Sequence, residues 1–233
     1  YSVTGGMPKY WEYAEKDQSS IDFIDSIFSS EYSWFENEPH RILKDENING
    51  LRPLSILEAI GRGASKPSEI AKRLGVRQTD IGRPLQALLD ASLLTREIPF
   101  GESIRSTKKT LYSIADHTMR FWYSVYSPHR SRWHLYSKEK KQQILHTHAA
   151  GTLEKEYRSL FPDGARYWEG NDIELDCVRH ADDSAKRIII SEIKWKDLTT
   201  RTRTRLKRGL QEKYLSSALA QKYPEADFEI LSF

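Results

Sequence analysis

The residues best spaced to do chemistry lie in the last third of the chain. Glu174 and Asp176 stand two apart, and Glu192 and Lys194 stand two apart at the end of the run Ile188-Ile189-Ile190. Side chains alternate faces along a strand, so residues two apart point the same way. A hairpin joining the two segments sets Asp176 close to Glu192, with Lys194 beside them. Converging carboxylates suit a hard divalent cation such as Mg2+ or Mn2+, which prefers oxygen ligands and keeps several waters. Such an ion polarises a phosphodiester and lowers the pKa of a bound water. A neighbouring lysine orients that water or balances charge in the transition state. Glu154, on the preceding helix, adds a carboxylate if that helix packs over the strand ends. Glu174, and Gln211 on the following helix, are auxiliary candidates.

Each residue alone says little, because strand-end Asp, Glu and Lys usually form a solvated edge or a weak surface pair. The combination says more: an aspartate, a hairpin-length gap, and E-x-K after an isoleucine run. Burying such charges is expensive unless a metal, a substrate or their mutual pairing compensates.

The elements needed to position these residues read as helix, three strands, helix, strand. The first helix runs from about 147 to 161 and stops before Pro162. Strands follow at 166–168, 173–179 and 187–195, with 180–186 as the turn of a hairpin. A long amphipathic helix spans about 205–223, and 227–233 returns as a strand. Cys177, the one cysteine, reads as a small buried strand residue and excludes both a disulfide and a cysteine-based zinc cluster. His146 and His148 read as surface histidines, since positions two apart on a helix do not share a face.

Upstream, residues 51–117 have a different rhythm. Three apolar-periodic segments begin at Pro53, at Ser65 and at about Thr79, and short turns separate them. Two extended pieces follow, 93–99 and 110–114, joined by a basic loop with Gly101, Arg105, Lys108 and Lys109. Three helices and a basic-tipped hairpin make a winged helix-turn-helix. Its third helix offers Arg77, Gln78 and Arg83 to a DNA duplex, and the wing offers Lys108 and Lys109 to phosphates. Winged helices also serve as protein-docking modules. The run from Arg201 to Arg208 includes Arg201, Arg203 and Arg205 and is either a phosphate contact or a solvated helix entry. Between the two parts, 118–146 interleaves aromatic and basic residues. That segment reads as a connecting helix whose aromatics pack against neighbouring domains, ahead of a stacking surface.

The overall class is therefore α+β and multidomain: a helical segment at 1–50, the winged helix-turn-helix at 51–117, the connecting helix at 118–146, and an α/β domain at 147–233. The content of 38% hydrophobic and 30% charged residues fits a folded protein rather than a disordered one. No apolar stretch is long enough for a membrane helix and no signal peptide is visible, so a cytoplasmic location is expected. A formal charge of +3 is too small to argue for a nucleic-acid partner, and the clustering of charge is what points there.

The last third resembles the PD-(D/E)xK restriction-endonuclease-like superfamily, in αβββαβ order. By position Asp176 matches the first acidic residue of its motif, Glu192 and Lys194 match its E-x-K, and Glu154 matches a helix glutamate found in some branches. Leu175 stands where the usual proline would be. The resemblance implies a Mg2+- or Mn2+-dependent nuclease acting on DNA, and cleavage by such domains often takes two copies, hence an expected homo-oligomer. The whole chain also resembles the C-terminal half of archaeal-type P-loop ATPases. Gly-Gly-Met-Pro at 5–8, Arg120-Phe121-Trp122-Tyr123 and the order Glu-Leu-Asp then Glu-Ile-Lys-Trp carry that resemblance. It implies an upstream ATPase domain as partner, with 1–50 as the end of its lid. No G-x-x-x-x-G-K-[ST] occurs in this chain, so ATP would enter only through that domain. Two functions follow: a metal-dependent deoxyribonuclease, or a non-catalytic DNA-binding or regulatory arm in which Glu192 and Lys194 pair.

Overall fold

Capping and apolar spacing explain most of the helices. Ser19 Oγ accepts the amide of Asp22 at 3.2 Å and starts α2 (Ser20–Ser29), which follows the single turn α1 (Pro8–Trp11). Glu69 folds back onto the amides of Ser65 and Lys66, both at 3.2 Å, at the entry of α5 (Pro67–Leu74). Asp116 accepts the amide of Met119 at 2.7 Å and opens α7 (His117–Phe121). The computed structural model describes residues 1–6, 8–12, 18–29, 35–105, 107–170, 172–182 and 186–233. Met7, at the centre of Gly-Gly-Met-Pro, lies outside them.

The chain divides into two units, each discontinuous in sequence: 1–96 with 111–148, and 97–110 with 149–233. In the first, α3 (Glu38–Asp45) and α4 (Leu51–Gly61) precede α5. A 3-10 turn, Gln78–Ile81, then leads into α6 (Gly82–Asp90). β1 (Leu94–Glu97) and β2 (Leu111–Ile114) form a two-stranded sheet. Ala115 N donates to Leu93 O and Thr95 Oγ1 lies 2.7 Å from Ser113 Oγ, so the strands run antiparallel. Tyr112 N also donates to Ser65 O, which brings the start of α5 against β2. Ile56, Leu57, Ile70, Ile81, Leu88 and Ile114 fill the core beneath. The expected winged-helix arrangement of three helices and a hairpin is present.

The segment 118–146 is not one connecting helix. After α7 come a π turn (Trp122–Tyr126), α8 (Ser127–His129) and a 3-10 turn (Trp133–Leu135), before α9 (Lys138–Ser159). Phe121, Val125, Tyr126 and Trp133 share a second core with Ile24, Ile27 and Phe35, and Phe28 stacks on Trp133 with centroids 4.0 Å apart. Residues from the expected 1–50 and 118–146 segments thus form one core, so boundaries at 50 and 117 are not edges of compact units. Gly61 is required here, because a Cβ at that position would lie 2.3 Å from Tyr123 Cβ.

In the second unit, β3 (Ala165–Glu169), β4 (Ile173–His180), β5 (Arg187–Lys194) and β6 (Glu225–Ser232) form one sheet in the order β3-β4-β5-β6. The first two pairings are antiparallel, with Cys177 opposite Ser191, and the last is parallel. α10 (Thr200–Leu215) and α11 (Ala218–Lys222) connect β5 to β6, so the expected single helix over 205–223 starts earlier and breaks at Ser216-Ser217. The helix expected from 147 likewise starts nine residues earlier, at Lys138 of α9, and it contributes to the second unit from Ala149. Leu175, Val178, Ile188, Ile190, Leu210 and Tyr214 make the core.

The loop between β1 and β2 belongs to this second core. Phe100 is buried there and its amide donates to Arg166 O at 2.9 Å. Gly101 takes φ +77°, which disfavours any side chain, and its carbonyl accepts Lys222 Nζ at 2.8 Å. No helix among the described residues is long and apolar enough to cross a membrane.

Candidate functional site

β4 and β5 position the acidic pair and the lysine. Cys177 faces Ser191, which sets Asp176 and Glu192 one step beyond on the two strands. Lys194 Nζ lies 2.7 Å from Glu192 Oε1 and 3.5 Å from Asp176 Oδ2. Asp176 Oδ2 also accepts the amide of Ile193 at 2.9 Å, which fixes the carboxylate across the strand pair. Both carboxylate side chains are 12% exposed, so their pairing is shielded from water more than a surface ion pair would be.

Glu154 on α9 belongs to the same neighbourhood. Its own burial, and then the Asp176 carboxylate, push its pKa up to about 7, while Lys194, Arg158 and Arg166 offset part of the rise. Burial alone would lower the Lys194 ammonium, but its hydrogen bond to Glu192 and the charges of Asp176, Glu192 and Glu154 hold it above its ordinary value. Four residues singled out in the sequence therefore converge, and their common centre is the lysine.

The auxiliary candidates do not join them. Glu174 turns to Arg166 on β3, and Lys213 donates to its carbonyl at 3.2 Å. Leu175 and Val178 enter the same core, so the strict alternation expected of β4, which would put Glu174 and Asp176 on one face, is broken between them. Gln211 is half-buried on α10 and hydrogen-bonded to none of the four. Arg158, by contrast, escaped the sequence reading. It donates to the carbonyl of Asp176 at 2.9 Å and comes within 3.9 Å of Glu97. Its place four residues after Glu154 on a helix was the available signal.

The donor set suits a divalent ion in part. Two carboxylates reach one point, and Mg2+ needs only one or two from a protein. That point holds the lysine, however, and among the described residues no three Asp, Glu, His or Cys side chains are placed to share one ion. The expected Asp176, Glu192 and Glu154 ligand trio is thus not assembled.

Cys177 is fully buried on β4, and burial pushes its thiol up to about 11. His148 departs from its expected surface role. It lies between Ser124 Oγ at 3.1 Å and Ser2 O at 2.8 Å, and burial first, then Arg120 and His117, bring its pKa down to about 4.

The expected nucleic-acid contacts divide into three groups. Arg77, Gln78 and Arg83 are exposed around the entry of α6, although Arg77 pairs with Asp80 at 3.0 Å. Lys108 and Lys109 are exposed on the wing loop, with Lys109 3.5 Å from Glu102, and Phe100 at the start of the loop is buried in the second unit's core. The loop is thus anchored at Phe100 and exposed at its basic residues. On α10, Arg203 is tied to Ile230 O at 2.8 Å and to Ser232, whereas Arg201 and Arg205 line a shallow concavity with Thr202, Thr204 and Arg208.

No family model matches the chain. It is similar to the uncharacterized protein MJECL04 of Methanocaldococcus jannaschii, 24% identical over 241 residues, with 91% of this chain and 51% of that protein aligned. The chain thus spans about half the length of that relative. Among solved structures it is similar to a complex of S. aureus MepR with DNA, 14% identical with a TM-score of 0.27, covering 62% of this chain and all of the other. It is also similar to RV1404 from Mycobacterium tuberculosis, 20% identical with a TM-score of 0.28, covering 60% of this chain and 97% of the other. Likeness of that extent assigns no function.

Proposed function

We propose that this chain is a DNA-binding arm, carried in the manner of its P-loop ATPase resemblance by a longer protein, with the winged helix as its duplex-engaging part. The observation that supports this reading is the three-helix and hairpin unit that leaves Arg77, Gln78 and Arg83 exposed at the entry of its third helix. Phosphate contacts by such residues make binding fall steeply with salt. The test is duplex binding by the intact chain across a salt series, beside the double variant Arg77→Glu, Arg83→Glu. The expected result is a loss of about tenfold or more and a shallower salt slope in the variant. Equal affinity in both proteins at every salt concentration overturns it.

A second reading has its own support, the convergence of Asp176, Glu192 and Glu154 on Lys194. In that reading the second unit hydrolyses phosphodiesters, Asp176 and Glu192 hold a divalent ion, and Lys194 moves aside to balance the developing charge. The ion would supply Lewis acidity and an activated water. Plasmid cleavage that requires Mg2+ or Mn2+ and disappears in both Asp176→Ala and Lys194→Ala would establish it. Intact plasmid with duplex binding retained leaves the ion-paired cluster as a scaffold.

A further inference from the structure

α4 and the end of α5 flank a cleft of about 620 Å³ on the first unit. Leu51, Glu58 and Arg62 stand seven and four residues apart, so they line it as one stripe along α4. Arg73 and Leu74 line it from α5. Arg73 Nη1 donates to Arg62 O at 2.7 Å and to Ala59 O at 3.3 Å, which ties the ends of the two helices together. Among the described residues the lining includes none of Arg77, Gln78 and Arg83, so this surface differs from the one assigned to duplex DNA.

The cleft carries an excess of positive charge. Three arginines line it, Arg52, Arg62 and Arg73, against the single carboxylate of Glu58. That carboxylate is already taken by Arg62 at 2.7 Å. Among the described residues neither Arg52 nor Arg73 has a carboxylate within ion-pair distance. Arg52 also stands in the first turn of α4, which has no acidic residue there and no side-chain cap. The positive end of the helix dipole disfavours a cation at that place, so Arg52 weakens the helix it starts, and a bound anion removes that cost. The cleft is partly apolar as well: Leu51 is 81% exposed and Leu74 is half-buried. A phosphate backbone offers nothing to cover a leucine, whereas an acidic peptide supplies an apolar side chain and carboxylates together. Arginine is enriched and lysine depleted at protein interfaces, and Lys66 and Lys72 at either end of the α5 stretch do not line the cleft.

We propose that the cleft between α4 and α5 docks an acidic segment of a partner protein. A leucine-sized side chain of that segment covers Leu51 and Leu74, and its carboxylates pair with Arg52 and Arg73. The surface is additional to the DNA-binding reading above and does not depend on it.

The test selects a random peptide library displayed on phage against the intact chain, with counter-selection on Arg52→Glu. The expected result is a set of peptides rich in Asp and Glu around a large apolar residue. A synthetic peptide from that set should bind about tenfold or more weakly to Arg52→Glu and to Leu51→Ser. Its affinity should also fall as salt rises. Arg52→Glu supplies the acidic residue that the first turn of α4 lacks, so the helix is not weakened and lost binding reports a lost contact. Arg77→Glu with Arg83→Glu should leave peptide affinity unchanged, and Arg52→Glu should leave duplex affinity unchanged. The proposal is overturned by the absence of any enriched peptide, by enrichment of neutral or basic peptides only, or by equal peptide binding to the parent, Arg52→Glu and Leu51→Ser. A loss of duplex affinity in Arg52→Glu with no peptide enriched overturns it too and assigns the cleft to phosphate contacts. If the duplex fails to bind, or ignores Arg77 and Arg83, the winged-helix reading falls and the peptide result still decides this one.

Discussion

α9 carries two half-buried ionisable side chains six residues apart, His148 in the first unit and Glu154 in the second, and their surroundings differ in kind. His148 hydrogen-bonds to neutral groups, a serine hydroxyl and a backbone carbonyl, and burial first, with Arg120 and His117 adding to it, keeps it uncharged down to about pH 4. Glu154 lies among Asp176, Lys194, Arg158 and Arg166, and holds its proton up to about pH 7. The first is what packing does to a titratable group: it removes the charge and uses the hydrogen bonds. In the second, charged neighbours set the balance: burial and the Asp176 carboxylate keep the proton on Glu154, while Lys194, Arg158 and Arg166 offset part of the rise.

The largest effect that separates the two units should come from Phe100→Ala. Removing a buried phenyl ring from the second core costs about 3–5 kcal/mol, read as a lower midpoint in denaturant unfolding followed by a probe in 149–233. If the loop that carries Phe100 were a solvent-facing wing, the change would be within about 0.5 kcal/mol. Gly61→Ala is the counterpart in the first unit. Its new methyl group meets Tyr123 Cβ and backbone, and overpacking of that kind costs about 1–3 kcal/mol.

Two smaller effects have opposite pH signs. The depressed His148 stabilises the fold above its ordinary pKa of 6.5, and that contribution, about 3 kcal/mol, is lost as pH falls toward 4. His148→Asn should therefore flatten the pH dependence of unfolding between pH 4 and 6.5, whatever it does to stability at pH 7. The raised Glu154 works the other way: it costs nothing below its ordinary value of 4.5, and the cost grows as pH rises toward 7. With solvent screening it amounts to about 1 kcal/mol, so Glu154→Gln should gain that much over the parent at pH 8 and nothing at pH 4. A Gln variant whose advantage is independent of pH would remove Glu154 from the cluster.

The sequence made some of this legible for physical reasons. Asp176, Glu192 and Lys194 could be brought together because a hairpin register leaves few choices once the isoleucine run is buried. The three helices of the first unit announced themselves through spacing and caps. Glu174 was misplaced because strict alternation was assumed through a strand that breaks it between Leu175 and Val178. The early start of α9 was hidden because Lys138–Lys141 has no apolar face to read. The aromatic segment 118–146 gave its rings correctly but not their partners, since Phe35 and Ile24 lie about a hundred residues away in sequence. The wing loop was read from Arg105, Lys108 and Lys109, and its fate was decided by Phe100.

Because that loop belongs to the unit whose remainder begins at 149, the chain passes from one unit to the other at 96–97, at 110–111 and at 148–149. Considered as pieces that recombination could exchange, the two units cannot be parted at a single joint. A gene segment beginning at 149 would encode a sheet, the second half of α9 and two further helices, with an open apolar seat beside Tyr167 and Tyr223 where Phe100 belongs. A segment ending at 148 would carry Phe100 with nothing to cover it. The hairpin and the sheet are therefore expected to be inherited together.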